Sequence, residues 1–199
     1  PAPLQPSVQN VIPFHFGLRH GIYGGQSVSR TGYDEEFLVD YNSYNVKLTG
    51  GLYYKLTENI EASLLGYYGT GTTVYTGADR YALKNLKMGQ YKLEVKSNNW
   101  FVRAYTTQEN SGDSYTATTA AYAINESWRT NADWFAIYTG NYSGARLMGA
   151  PGEQAHAIAR AAAEQGRILP GTPEFEAAFD KAINTPIGQG GAKFADRTN

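Results

Sequence analysis

The stretch VKLTGGLYYKLTENIEASLLGYYGTG, residues 46–71, decides the fold class. Thr57, Glu58 and Asn59 divide it into two halves. In the first, Val46, Leu48, Gly50, Leu52, Tyr54 and Leu56 alternate with Lys47, Thr49, Gly51, Tyr53 and Lys55. In the second, Ile60, Ala62, Leu64, Gly66 and Tyr68 alternate with Glu61, Ser63, Leu65 and Tyr67. A period of two on both sides of a short polar turn reads as a β-hairpin. Each half runs for about eleven residues, long for an ordinary strand.

The pattern repeats downstream. In QYKLEVKS (90–97), Tyr91, Leu93 and Val95 alternate with Lys92, Glu94 and Lys96. After the turn Ser97-Asn98-Asn99, Trp100, Val102 and Ala104 alternate with Phe101, Arg103 and Tyr105. The spacing therefore predicts four antiparallel strands over 45–109, with a long polar connection at 69–88. Residues 1–44 read as loop, punctuated by Pro1, Pro3, Pro6, Pro13 and a series of glycines.

Beyond Glu109 the period changes. Ala120, Ala123, Ile124 and Ser127 predict a helix near 117–129. Pro151, Glu153 and Gly166 frame a second over 153–165, whose Ala155, Ile158, Ala159 and Ala162 share a face. Thr172 as N-cap and Pro173 at the first helical position open a third over 173–184, with Phe175, Ala178, Phe179 and Ala182 on one side. The last two are expected to pack on each other through Ile158, Ala162, Phe175 and Phe179.

Composition narrows the function. The 199 residues carry a formal net charge of −1, so no global field argues for nucleic acid. The absence of cysteine excludes disulfides, thiolate metal sites and cysteine catalysis. His15, His20 and His156 lack metal-ligand spacing. Asp113, Glu126, Asp133, Ser111 and Ser114 form no triad-like context, and Gly69–Thr73 lacks the lysine of a phosphate loop. An enzyme is not expected, nor a cofactor or a metal.

Sixteen tyrosines and 22 glycines accompany a mean hydropathy of −0.45. That balance suits exposed strands with aromatic belts better than a tightly packed soluble core. A soluble antiparallel sheet with one wet face would alternate in the same way. Three features favour a membrane β-barrel instead. One strand face carries Lys47, Lys55, Glu61, Lys92, Glu94, Lys96 and Arg103. The other face is mild, with Gly50, Gly66 and Ala62 among Leu and Tyr. Trp100 and Tyr54 lie near the short turns, where an aromatic girdle meets a membrane interface. On this reading the short turns are periplasmic, while 1–44, 69–88 and the helical 110–199 are extracellular. Four strands cannot close a barrel, since the smallest have about eight. The chain is therefore expected to be a segment of a longer one. The alternative is a soluble or surface interaction domain, a small β-meander packed on helices.

The whole stretch TGYDEEFLVDYNSYNVKLTGGLYYKLTENIEASLLGYYGTGTTVYTGADRYALKNLKMGQYKLEVKSNNWFVRAYTTQENSGDSYTATTAAYAINESW, residues 31–128, resembles part of the barrel of bacterial TonB-dependent outer-membrane receptors. It looks most like the type with a carboxypeptidase-regulatory-like N-terminal extension, and the likeness covers about residues 31–199 and is densest over 45–128. The resemblance implies an antiparallel transmembrane barrel segment with a helical extracellular insertion, located in the outer membrane. It implies energy-coupled nutrient uptake, in which the parent barrel encloses a plug and an inner-membrane complex supplies the pull. The plug, the box that contacts the energising complex and most strands are missing here. The partners implied are outer-membrane lipid, the rest of the barrel and plug, and the energising complex. The substrate, whether glycan, metal chelate or peptide, carries no selective motif.

For an importer, ligand contacts are expected on the lumen face and outer loops. That singles out Tyr67, Arg103 and Tyr105 on the lumen face, with Tyr75 and Arg80 in the 69–88 connection. Tyrosine offers large contact area with a hydroxyl at its tip.

Overall fold

The computed structural model describes residues 27–194. Expectations resting on residues 1–26, including the proline-rich beginning, His15 and His20, and on 195–199 lie outside the described residues. Within them are strands β1 (Tyr44–Thr57), β2 (Ile60–Thr76), β3 (Arg80–Ser97), β4 (Phe101–Asn110) and the short β5 (Tyr115–Thr116). Four helices follow: α1 (Ala117–Trp128), α2 (Asn131–Leu147), α3 (Gly152–Ala163) and α4 (Pro173–Asn184). Among the described residues no helix is long and apolar enough to cross a membrane, which leaves crossing by strands open.

The chain divides into two units. The first comprises, among described residues, 27–33 and 124–178. The second comprises 34–123 and 179–194.

The second unit is built on an antiparallel sheet. Strands β1 to β4 lie side by side in chain order, and β5 joins β3 on the same edge as β4, further along. The sheet is open and does not close into a barrel. The predicted turns hold: β1 passes to β2 through Glu58 and Asn59, and β3 to β4 through Asn98, Asn99 and Trp100. A register shift between Lys55 and Thr57 takes up one residue beside the first turn.

Cross-strand pairing sorts the side chains as the alternation predicts. Tyr54–Ala62–Val95–Val102, Leu52–Leu64–Leu93–Ala104 and Leu48–Tyr68–Gly89–Gln108 are rows on one face. Lys55–Glu61–Lys96–Phe101 and Tyr53–Ser63–Glu94–Arg103 are rows on the other. Antiparallel partners stand opposite each other, so one correct register fixes the face of every residue.

The connection expected at 69–88 is strand instead. β2 runs on to Thr76, β3 begins at Arg80, and only Gly77, Ala78 and Asp79 turn the chain. Thr70, Thr72, Thr73, Val74, Tyr75 and Tyr81 are good strand formers. The glycines that suggested loop answer a packing need: a Cβ on Gly71 would stand 2.7 Å from the Tyr44 carbonyl oxygen. Glycine inside a strand often marks such a close approach.

The extended hairpin contains a bulge. Thr72 faces both Lys84 and Asn85, and Asn85 adopts φ +55°. Asn85 N–H donates to Thr72 Oγ1 (3.1 Å), and its side chain links the Tyr44 hydroxyl (3.0 Å) to Asp113 (3.0 Å). Ser114 Oγ accepts from Lys84 N–H (3.0 Å), and Asp113 N–H donates to the Lys84 carbonyl (2.8 Å). Gly112 sits beneath at φ +59°, where a Cβ would strike the carbonyls of Lys84 and Asn85. Gly112→Ala is therefore expected to cost about 2 kcal/mol, from left-handed backbone and backbone collision together. Denaturant titration reads the loss, and hydrogen exchange should place it at the Lys84 and Asp113 amides.

Elsewhere in this unit, Leu38, Val39, Ala82 and Tyr115 are buried. The Tyr115 hydroxyl donates to the Leu38 carbonyl (2.9 Å), and its ring meets Phe179 edge-on at 5.9 Å.

The first unit has its own core. Thr130 Oγ1 caps α2 by accepting from Asp133 N–H (3.2 Å). Trp134, Tyr138, Tyr142 and Ala145 line the buried side of α2, facing Ala155, Ala159 and Ala163 of α3. Small alanines let the aromatic rings lie close along the α3 backbone. This corrects the expected helical pair. α3 packs on α2, Ile158 is 43% exposed, and the α3 stripe is Ala155–Ala159–Ala163. Phe175 instead meets Tyr33 edge-on at 5.2 Å.

Candidate functional site

The charged face of the sheet gathers three of the five residues singled out in the sequence. Tyr67 stands in the row Thr49–Tyr67–Gln90–Thr107, and Tyr105 in the row Gly51–Leu65–Lys92–Tyr105. Arg103 lies two residues before Tyr105 on the same side of β4. Tyr67 and Tyr105 are exposed; Arg103 is not free. Its Nε and Nη2 both bond Glu94 Oε2, and its guanidinium lies 5.2 Å from the Phe101 ring centre. Lys92 adds a second contact to Glu94 (3.5 Å), and Lys96 pairs Glu61 (2.9 Å). The Arg103–Glu94 and Lys96–Glu61 pairs brace neighbouring strands, and the Glu94 carboxylate offsets the charge that Arg103 could offer an anionic ligand.

Further along this face a cleft of about 450 Å³ opens beside the row Lys47–Gly69–Met88–Glu109. Asn45, Lys47, Gly69, Gly71, Leu86 and Met88 are among its walls. Gly69 opposite Lys47 leaves room above the backbone, and Lys47 makes no ion pair with any described residue. Tyr67 stands on the same face in the next row, opposite Thr49. The sequence reading did not single out Lys47 as a candidate ligand group, although its place on the charged face opposite a glycine was visible there.

Tyr75 and Arg80 occupy the tip of the β2–β3 hairpin. Tyr75 lies eight residue steps along the strand from Tyr67, roughly 27 Å at the usual rise. No small ligand touches both groups at once. The two also diverge from each other. Tyr75 pairs with Tyr81 and Arg80 with Thr76, adjacent positions that point to opposite faces. The Tyr75 ring stacks on Tyr81 (6.1 Å), which stacks on Phe194 (5.8 Å).

Arg80 holds a clamp. Its Nε and Nη2 donate to the two oxygens of Glu35 (2.8 and 2.7 Å), the Tyr41 hydroxyl donates to Glu35 Oε1 (2.9 Å), and Nη1 reaches Thr76 Oγ1. The hydrogen bond from Arg80, then that from Tyr41, holds the Glu35 carboxyl below its usual range. A depressed carboxylate lends stability that is full above its ordinary pKa and lost as pH falls through the lowered value. The Leu38 and Val39 amides, which donate to the Glu35 carbonyl, should keep constant exchange protection from neutral pH down to the ordinary carboxylate range. Below it they should lose protection. Glu35→Gln should remove that pH dependence, and a flat profile in the native chain would show that the clamp does not hold this segment.

Among the described residues no three or more His, Asp or Glu side chains converge as metal ligands. Compared with known proteins, the chain matches no family, no curated protein and no solved structure.

Proposed function

We propose that the chain forms part of the barrel of a TonB-dependent outer-membrane receptor that takes up a scarce nutrient. The observation that carries this reading is a sheet left bare on two faces of opposite character. On the apolar face Leu52 is 72%, Val102 67%, Leu93 52% and Leu64 50% exposed. β1 exposes all 14 of its residues. A water-soluble protein seldom leaves so large an apolar surface uncovered; a bilayer covers it. The opposite face, with its ion pairs and the Lys47 cleft, suits a watery lumen.

Dimensions support the same reading. From Ile60 to Thr70 a strand climbs roughly 34 Å, or about 26 Å at a tilt near 40°, matching the ~25 Å apolar band of outer-membrane barrels. The edges of β1 and β4 that no described strand pairs along their length require further strands in a bilayer, because unsatisfied backbone groups in lipid cost several kcal/mol each. On this layout the turns at Glu58–Asn59 and Asn98–Asn99 face the periplasm. The upper hairpin to Gly77–Asp79 rises beyond the membrane on the outside, and the nutrient meets the charged face near Lys47 and Tyr67. A plug and an inner-membrane energising complex complete the import route.

The test expresses the full gene in a bacterial host. The protein should fractionate with the outer membrane, stay insoluble without detergent, and be cleaved from outside intact cells at a protease site placed in Gly77–Asp79. Recovery as a soluble protein would overturn the reading. Within a membrane-inserted receptor, Lys47→Ala should weaken nutrient binding at least severalfold while Lys55→Ala, near the periplasmic turn, should not.

A further inference from the structure

We propose that the cleft at the outer rim of the apolar face, between Lys87 and Lys193, binds the phosphate of an anionic membrane lipid; the inference rests on the barrel reading above. Register gives the first part of the argument. Ascending the apolar face from the short turns, the rows pass through Leu52–Leu64–Leu93–Ala104, then Gly50–Gly66–Tyr91–Thr106, then Leu48–Tyr68–Gly89–Gln108. The next row is Val46–Thr70–Lys87–Asn110. Lys87 therefore stands on the lipid-facing side, just beyond Tyr91 and Tyr68. Tyrosine rings favour the headgroup level of a bilayer. A cation one step above them lies where lipid phosphates lie.

A cavity forms the second part. A cleft of about 590 Å³ opens here, with Lys87, Lys193, Tyr44, Asn85, Asp113 and Phe194 among its walls. Lys193 is held in place by its backbone. Its N–H donates to the Thr185 carbonyl (3.0 Å), its carbonyl accepts from Ile187 N–H (3.1 Å), and it bridges to Tyr115. Neither lysine makes an ion pair with any described residue. The acidic group in the wall, Asp113, accepts from the Asn85 side chain. Two ammonium groups against one occupied carboxylate leave the cleft net positive. Phe194 adds an apolar wall.

The face decides the source of the phosphate. A solute on the import route travels the charged face, where Lys47 lies, and does not pass Lys87. A lipid headgroup does.

The test uses the full receptor in a neutral detergent, read by native mass spectrometry with lipid A, with dephosphorylated lipid A, and with inorganic phosphate. Lipid A should remain bound and its dephosphorylated form should not. Lys87→Gln with Lys193→Gln should lower the apparent affinity for lipid A roughly thirtyfold, as two interfacial charges contribute. Lys47→Gln, on the other face, should leave it unchanged. Equal retention by the double variant, or of the dephosphorylated lipid, would overturn the proposal. Saturation by inorganic phosphate at the lipid's concentration would make this a free-phosphate site and overturn the lipid assignment. A receptor soluble without detergent would instead sink the barrel reading beneath it.

Discussion

If the chain is part of a membrane barrel, as proposed, Leu52→Arg is expected to cost about 2 to 4 kcal/mol of stability in a bilayer, against less than about 1 kcal/mol for Tyr53→Arg. The two positions are neighbours on β1, and both side chains are well exposed, at 72% and 63%. Only the face differs. Leu52 shares its row with Leu64, Leu93 and Ala104, whereas Tyr53 shares its row with Ser63, Glu94 and Arg103. Leu64 lies four residues above Ile60, about 10 Å up a band roughly 25 Å tall. On the proposed barrel reading Leu52 therefore lies close to the bilayer midplane, where a guanidinium is most costly. In water, exchanging so exposed a leucine for arginine changes stability by about 0.5 kcal/mol or less. The experiment refolds the full receptor into lipid vesicles and titrates it with urea. A large gap between the two variants supports lipid on the Leu52 face. Near-equal small costs would mean that water, or another protein surface that tolerates charge, covers it.

That contrast shows what was legible in the sequence. Strand existence, the two short turns and the face of Leu52, Lys92, Val102 and Arg103 all follow from a period of two, because register leaves no freedom once the turns are set. Strand ends were less legible. Gly69 and Gly71 read as loop, yet Gly71 is required by the approach of Tyr44, a contact between residues 27 positions apart. The bulge at Asn85 and its seat on Gly112 have the same origin in pairing between distant segments. α2 was missed for another reason. Gly140, Gly144 and four aromatic residues give it weak intrinsic preference, and its helix comes from burying Trp134, Tyr138 and Tyr142 against α3. Among the candidate ligand residues, the pattern placed Tyr67, Arg103 and Tyr105 on one face. It was silent on the bonds that occupy Arg80, since local alternation carries no information about Glu35, 45 residues away, whereas Glu94, which holds Arg103, stands opposite it in the hairpin register.

Trp134→Ala is expected to cost about 3 to 5 kcal/mol and to act on the helical unit alone. Trp134 is fully buried. Its ring stacks on Tyr138 at 5.2 Å and meets Phe135 edge-on at 4.9 Å, with the Arg160 guanidinium 5.7 Å from its centre. Tyr138 in turn stacks on Tyr142, so the truncation removes the end of a three-ring column whose other side is the Ala155–Ala159–Ala163 stripe. Alanines cannot reach across to fill the void. Trp134→Phe separates volume from polarity. The indole Nε1 is buried with no hydrogen-bond partner among the described residues. Phenylalanine keeps most of the ring contact and removes an unsatisfied donor, whose burial itself costs about 1 to 3 kcal/mol. Its net cost should be under about 1.5 kcal/mol. Hydrogen exchange with localisation by mass spectrometry reads both variants. In Trp134→Ala, amides of 131–163 should exchange near the rate of an unstructured chain while those of β2 and β3 keep their protection. Loss of protection in the strands as well would show that the sheet and the helical unit fold as one cooperative body. A Trp134→Phe variant as damaged as Trp134→Ala would show that the indole N–H has a partner that holds it.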